Sequence, residues 1–120
     1  MILTNIAVDE HGHSFFNEVD IPMTGTPQRI QTKSGEVLYW EMATSQPGHF
    51  IDFAPSGEAK FLAIFSGQMD IIVSNGDIRH FARGDMLTVS DLKGQGHIKR
   101  FTGIEACNWL TIAVPGNGFA

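Results

Sequence analysis

Glycine and proline punctuation is the feature that most constrains this chain. Thirteen glycines and five prolines are scattered through 120 residues. They break it into short pieces and leave little room for a long helix. No window carries a sustained i, i+3, i+4, i+7 apolar stripe with caps at both ends. The apolar pieces are short and rich in β-branched and aromatic residues: Val37–Trp40, Phe61–Phe65, Met69–Val73, Met86–Val89 and Ala106–Val114. Each adjoins turn chemistry, which predicts strands. Many short strands with closely spaced turns predict an all-β sandwich or barrel. A closed barrel or jelly roll also hides strand edges.

The strongest local signal is Ser74-Asn75-Gly76-Asp77. Asn-Gly predicts a tight type I′ turn with two positive-φ residues, pairing Met69–Val73 antiparallel with Ile78–Phe81. Ala82-Arg83-Gly84-Asp85 reads as a second turn, and Ser90–Gly96 as an irregular loop ending at His97. The first thirty residues are less regular. Asp9–His13 reads as a turn, and Ile21–Pro27 as an extended arm punctuated by proline.

Composition sets the bounds. A chain of 13.2 kDa fits one domain, residues 1–120, with an arm and first strands over 1–30 and a barrel over 35–114. Hydrophobic residues make up 42%, so one core is expected without disulfide staples. The net charge of −5 lacks a cationic stripe and argues against a nucleic-acid partner. The apolar runs are too short for a membrane-spanning helix, and no membrane partner is expected. Met1–Glu10 shows no signal-peptide pattern. The single cysteine, Cys107, excludes an intrachain disulfide and a multi-thiolate zinc site. It also suits a reducing compartment, and the cytoplasm is the expected location.

Two segments, Gly48–Gly67 and Gly84–His97, resemble the cupin superfamily, specifically small single-domain RmlC-like jelly-roll cupins. Gly48, Pro55 and Gly67 sit in the frame of that family's first motif. The frame places its two histidines at Ala54 and Ser56, or one residue earlier at Phe53 and Pro55. It places its glutamate at Lys60. In the second motif, Gly94-Gln95-Gly96-His97 keeps the glycine and the histidine, while Leu92 and Phe101 replace the proline and asparagine. The resemblance spans roughly residues 35–114. It implies a double-stranded β-helix whose metal ligands are replaced except for His97.

What that resemblance implies for chemistry centres on His97, which would point into the barrel. One histidine cannot hold a first-row metal, and a cation at Lys60 would repel one, so no metal or other cofactor is expected. A metal held by rearranged ligands would have to recruit His97, Asp52 and His49. A lysine in an apolar barrel needs an anionic partner, either Asp52, Asp70 or a bound ligand. The expected ligand site therefore comprises His97, Lys60, Asp52, Trp40, Phe53 and Asp70. The plainer readings are a hydrogen-bonded core histidine and a lysine snorkelling to solvent. Strand alternation leaves this open, because Lys60, Leu62 and Ile64 are as fit for the core as Phe61, Ala63 and Phe65.

The expected role is binding of a small polar or anionic metabolite. The alternative is a metal-independent isomerase or epimerase with His97 and Tyr39 as acid and base. His11-Gly12-His13 has no third ligand in its local pattern, His80 reads as surface, and Cys107 as an inert buried thiol. By analogy with small cupins, pairing as a homodimer through an edge strand or an exchanged Met1–Thr26 arm is expected.

Overall fold

A computed structural model describes residues 1–116. Among these residues there is no helix, only twelve strands joined by turns. They are β1 (Ile2–Val8), β2 (Ser14–Asp20), β3 (Thr24–Thr26), β4 (Arg29–Gln31), β5 (Tyr39–Ser45) and β6 (Phe50–Ala54). The remainder are β7 (Ala59–Ser66), β8 (Gln68–Val73), β9 (Ile78–Ala82), β10 (Met86–Val89), β11 (His97–Thr102) and β12 (Cys107–Val114). One six-stranded sheet runs β2-β1-β10-β7-β12-β5, and a four-stranded sheet runs β6-β11-β8-β9. The hairpin β3-β4 forms a separate two-stranded sheet. The arrangement is the expected all-β jelly roll.

Period-2 alternation selects which side chains fill the space between the sheets. Ile6, Leu62, Ile64, Leu87, Val89, Cys107 and Trp109 come from the larger sheet. Met69, Ile71, Val73, Phe81 and Phe101 come from the smaller one. All are nearly water-free, and each large aliphatic buried this way stabilises the fold by ~1.5–3 kcal/mol. Phe101 stacks on Trp109 with centroids 5.0 Å apart, so this stretch of the interior is solid. On β7 the buried set is Leu62 and Ile64, which turns Lys60 inward with them.

Two local expectations are corrected. The β8–β9 hairpin forms with the expected antiparallel pairing. Its turn is not type I′, because only Gly76 has positive φ, at 101°, and Asn75 does not. The Gly76 amide donates to the Val73 carbonyl and the Val73 amide to the Asp77 carbonyl, an ordinary turn closed by one left-handed glycine. The Asn75 side chain instead accepts the Asp77 amide, so it stabilises the turn without leaving negative φ. The N-terminal segment is also more regular than its sequence suggests. β1 and β2 pair through seven residues each, and β1 lies parallel to β10.

The N-terminal hairpin clamps the loop that precedes β11. The Ser14 hydroxyl donates to the Gly96 carbonyl at 2.6 Å, and the Gln95 amide donates to the Gly12 carbonyl. Gly96 is required here for two reasons. Its φ is +77°, and a Cβ would lie 2.0 Å from the Ala54 carbonyl carbon. Gly96→Ala should therefore destabilise by roughly 2–4 kcal/mol, combining left-handed strain with backbone displacement. Gly57→Ala, at an open position without positive φ, should stay within about 1 kcal/mol of the parent. Urea unfolding followed by far-ultraviolet circular dichroism measures both, and equal midpoints would contradict the assignment.

Candidate functional site

The site begins with a loop closed by charge. The Nδ1 of His97 lies 2.6 Å from Oδ2 of Asp91, with the two side chains 5% and 0% exposed. That separation is at the short end of charge-assisted hydrogen bonds. It fixes the imidazole and leaves Nε2 without a hydrogen-bond partner among the described residues. Asp91 Oδ1 is buried with no partner either. The Asp91 carbonyl accepts the Ser56 amide, which ties this loop to the start of β7.

Strand register then brings in the other polar groups. Lys60, Ala113 and Tyr39 lie in one cross-strand row over β7, β12 and β5. Leu62, Thr111 and Glu41 form the next. Both rows share the inner face with the buried Ala113 and Thr111. From the opposite sheet, β11 alternates His97, Lys99 and Phe101 inward. The Tyr39 hydroxyl donates to Glu58 Oε2 at 3.1 Å, and Lys60 Nζ stands 3.9 Å from the same oxygen. One end of the interior is thus polar, whereas the Phe101–Trp109 stack fills another part of it.

The electrostatics of that end are uneven. Burial lowers the Lys99 ammonium to about 8, and the nearby Lys60 charge pushes the same way. Asp91 and Glu41 oppose the shift without cancelling it. Tyr39 moves the other way: burial, the Glu58 hydrogen bond and the Glu58 and Glu41 charges raise its phenol above the ordinary value. The tyrosine therefore stays protonated and acts as a donor near neutral pH.

The fold sorts the residues anticipated from sequence. His97, Lys60 and Tyr39 face the interior from three strands. Asp52 lies exposed on the edge strand β6, and its Oδ1 accepts the Phe53 amide. Phe53 is 47% exposed on that same edge. Trp40 does not join the site: it pairs with Ile112 on the outer face of the larger sheet and is 67% exposed. Asp70 does not join it either. Gln68, Asp70 and Ile72 alternate with the core residues of β8 and so point outward.

There Asp70 lies 2.6 Å from His80 Nδ1, accepts the Gln68 and Thr102 side chains, and faces Arg100 at 3.7 Å. Burial opposes ionisation of Asp70, yet these hydrogen bonds and the His80 charge leave its acidity net increased. His80 is largely exposed, as its sequence position suggested. His49 stacks on Phe101 instead of approaching His97 through a ligand set. Three residues of the polar end, Asp91, Glu58 and Lys99, were not anticipated as partners. For Lys99 the signal was present as His97-x-Lys99-x-Phe101 alternation.

The positions that match the cupin metal motif carry a methyl group at Ala54, a hydroxyl at Ser56, an ammonium at Lys60 and an imidazole at His97. Ala54 is the cross-strand partner of His97, so these positions do converge. The donor set does not fit a divalent metal, because Lys60 brings positive charge where an anionic ligand is needed and Ser56 already donates to the Glu58 carbonyl. Among the described residues, no three His, Cys, Asp or Glu side chains are grouped to hold an ion.

No protein-family model matches the sequence, and no curated protein matches it. Solved structures do match. A conserved double-stranded β-helix protein from Klebsiella pneumoniae is 23% identical, with a TM-score of 0.54 over 72% of this chain and 81% of that one. An RmlC-like cupin from Methanocaldococcus jannaschii is 12% identical, with a TM-score of 0.57 over 82% and 94%. A protein of unknown function from Streptococcus pyogenes is 19% identical, with a TM-score of 0.52 over 71% of each chain. The two facing sheets, the glycine-set bends and these likenesses agree that the chain has the RmlC-like cupin fold, a double-stranded β-helix.

Proposed function

We propose that the polar end of the barrel binds a small metabolite bearing a carboxylate or phosphate. The observation that carries this reading is the pair of lysines turned inward from opposite sheets. Lys60 has only a long contact to Glu58, and its charge disfavours the ammonium of Lys99. An anion between them would relieve that repulsion, with Tyr39 and His97 Nε2 available as further polar contacts. The free, buried Cys107 suits the reducing cytosol, where such metabolites are abundant.

A second reading is favoured by the Asp91–His97 pair. A carboxylate that orients an imidazole and leaves Nε2 open is suited to moving a proton, so the bound molecule could be isomerised without a metal. Tyr39 is committed to Glu58, which makes His97 the acid or base and the phenol a positioning donor. Deuterium exchange into a panel of keto acids and keto sugars, lost in His97→Ala, would establish that chemistry.

Binding is tested by thermal shift with inorganic phosphate, citrate and neutral sugars. Phosphate or citrate at 100 times its dissociation constant should add ~2.7 kcal/mol of stability. Lys60→Met and Lys99→Met should each abolish the shift while remaining folded. Equal responses from parent and variants, or no response to any anion, would remove the proposal.

The pH dependence without ligand has a definite sign. The folded state holds Lys99 less protonated than the unfolded chain between about pH 8 and its ordinary value of 10.5. The unfolded chain binds more protons there, so stability should rise with pH across that window. The full penalty applies below pH 8, and is at most ~3 kcal/mol. Lys99→Met should flatten the rise in denaturation midpoints measured from pH 7 to 11. Anion affinity should run the opposite way and weaken above about pH 8, as the ammonium is lost.

A further inference from the structure

The outer face of the larger sheet is built to be covered. In an antiparallel sheet with one wet face, strands alternate apolar and polar; strands covered on both faces read as nearly continuous apolar runs. β7 and β12 are of the second kind, with Phe-Leu-Ala-Ile-Phe and Trp-Leu-Thr-Ile-Ala-Val. Their inner sets fill the core, which leaves Ala63, Phe65, Leu110 and Ile112 facing outward. Register aligns these with the outward residues of β10 and β5 in continuous rows. Met86, Ala63, Leu110 and Met42 make one row, and Phe61, Ile112 and Trp40 lie in the next. Trp40 is 67% exposed and Met42 64%, with Phe65 at 47% and Leu38 at 56%. No charged side chain points outward from β5, β7, β10 or β12 across these rows.

A second feature adjoins this face. Every residue from 24 to 38 is exposed, including the whole β3-β4 hairpin. An isolated two-stranded hairpin is marginal in water, so an ordered one needs something to lie against. Beside it is an apolar groove of about 450 Å³, bounded by Ile21, Pro22, Val37, Ile112 and Val114 among others. The molecule therefore carries an arm without a seat next to a groove without an occupant.

We propose that this face and its arm form a two-fold interface with a second copy of the chain. Three arguments select a second copy over a foreign partner. A surface without charge is its own complement, and two chains of net charge −5 meet with least repulsion where neither presents a charge. Arm and groove sit on the same molecule, so a two-fold axis satisfies both at once. Aromatic side chains bring ~150–250 Å² each, and the exposed apolar residues together approach the ~800 Å² per partner of a stable interface. The exchanged segment is residues 22–38, because β1 and β2 are committed to their own sheet. Pairing also stiffens the site: β5 carries Trp40 and Met42 on the covered side and Tyr39 and Glu41 on the inner side.

Sedimentation velocity over about 1–100 µM should show a single species at twice 13.2 kDa. The double variant Trp40→Glu, Met42→Glu should sediment as a monomer with an unchanged far-ultraviolet spectrum, and Ile78→Glu, on β9, should remain dimeric. Peroxide oxidation of the unmodified protein gives an independent reading should the double variant misfold. Met42 should react several-fold more slowly than Met1, although the isolated chain exposes Met42 by 64% and Met1 by 50%. A monomer at about 100 µM, an open-ended series of larger species, a dimer that survives in the folded double variant, or equal oxidation of Met42 and Met1 would each overturn the proposal.

Discussion

The hydrogen bond between Asp91 and His97 is the contact on which the polar end of this barrel depends. It closes a six-residue step in sequence, and both partners are buried. Removing the carboxylate would leave an imidazole in the interior with nothing to orient it, and such a loss is costlier than the bond itself is worth. The bond can form only because the intervening backbone turns back sharply. Gly94 and Gly96 supply left-handed residues at +85° and +77°, and Gly96 lies flat against the Ala54 peptide. The N-terminal hairpin then holds the loop from outside through Ser14 and Gly12. Strand pairing far away in sequence is thereby converted into the orientation of one side chain.

That arrangement separates what the fold keeps from what the chemistry has changed. The bends belong to the scaffold, and their glycines survive where a Cβ would strike backbone. The side chains at the metal-motif positions are not constrained this way, and three of the four are a methyl, a hydroxyl and an ammonium. Replacing an acid by Lys60 inverts the charge of the site. A pocket suited to attracting a cation becomes one suited to an anion, with no change of topology. Lys99 strengthens the inversion from the facing sheet, and its depressed basicity follows from burial next to a cation already there.

How far the sequence discloses this differs between scaffold and site. Gly76, Gly84 and Gly96 were legible because a left-handed bend admits glycine far more readily than any residue with a Cβ. The fate of Lys60 was not legible, for a reason that lies in the outer surface. Both alternating sets of β7 are apolar, since one fills the core and the other belongs to a face that needs covering, so periodicity had no contrast to work with. Trp40 and Asp70 misled for related reasons. An aromatic residue and a buried acid each suggest an interior, yet Trp40 lies on the exposed apolar face. Asp70 is buried on the outside, beneath His80, Arg100, Gln68 and Thr102. Asp91 was present in the loop motif, but a partnership across two left-handed glycines has no period to betray it.

The two unusual surfaces of the molecule meet in β5, and this gives the edge strand more weight than its position suggests. An edge strand bonded on one side only is the least restrained wall of a sheet. Here that wall supplies Tyr39 and Glu41 to the polar end, and through Tyr39 it holds the carboxylate of Glu58 next to Lys60. Any motion of β5 would separate the phenol from Glu58 and change the balance of charge felt by both lysines. Covering Trp40 and Met42 removes that freedom without touching the site. The apolar exterior and the charged interior are then two sides of one strand, and association and ligand binding should be thermodynamically linked through it.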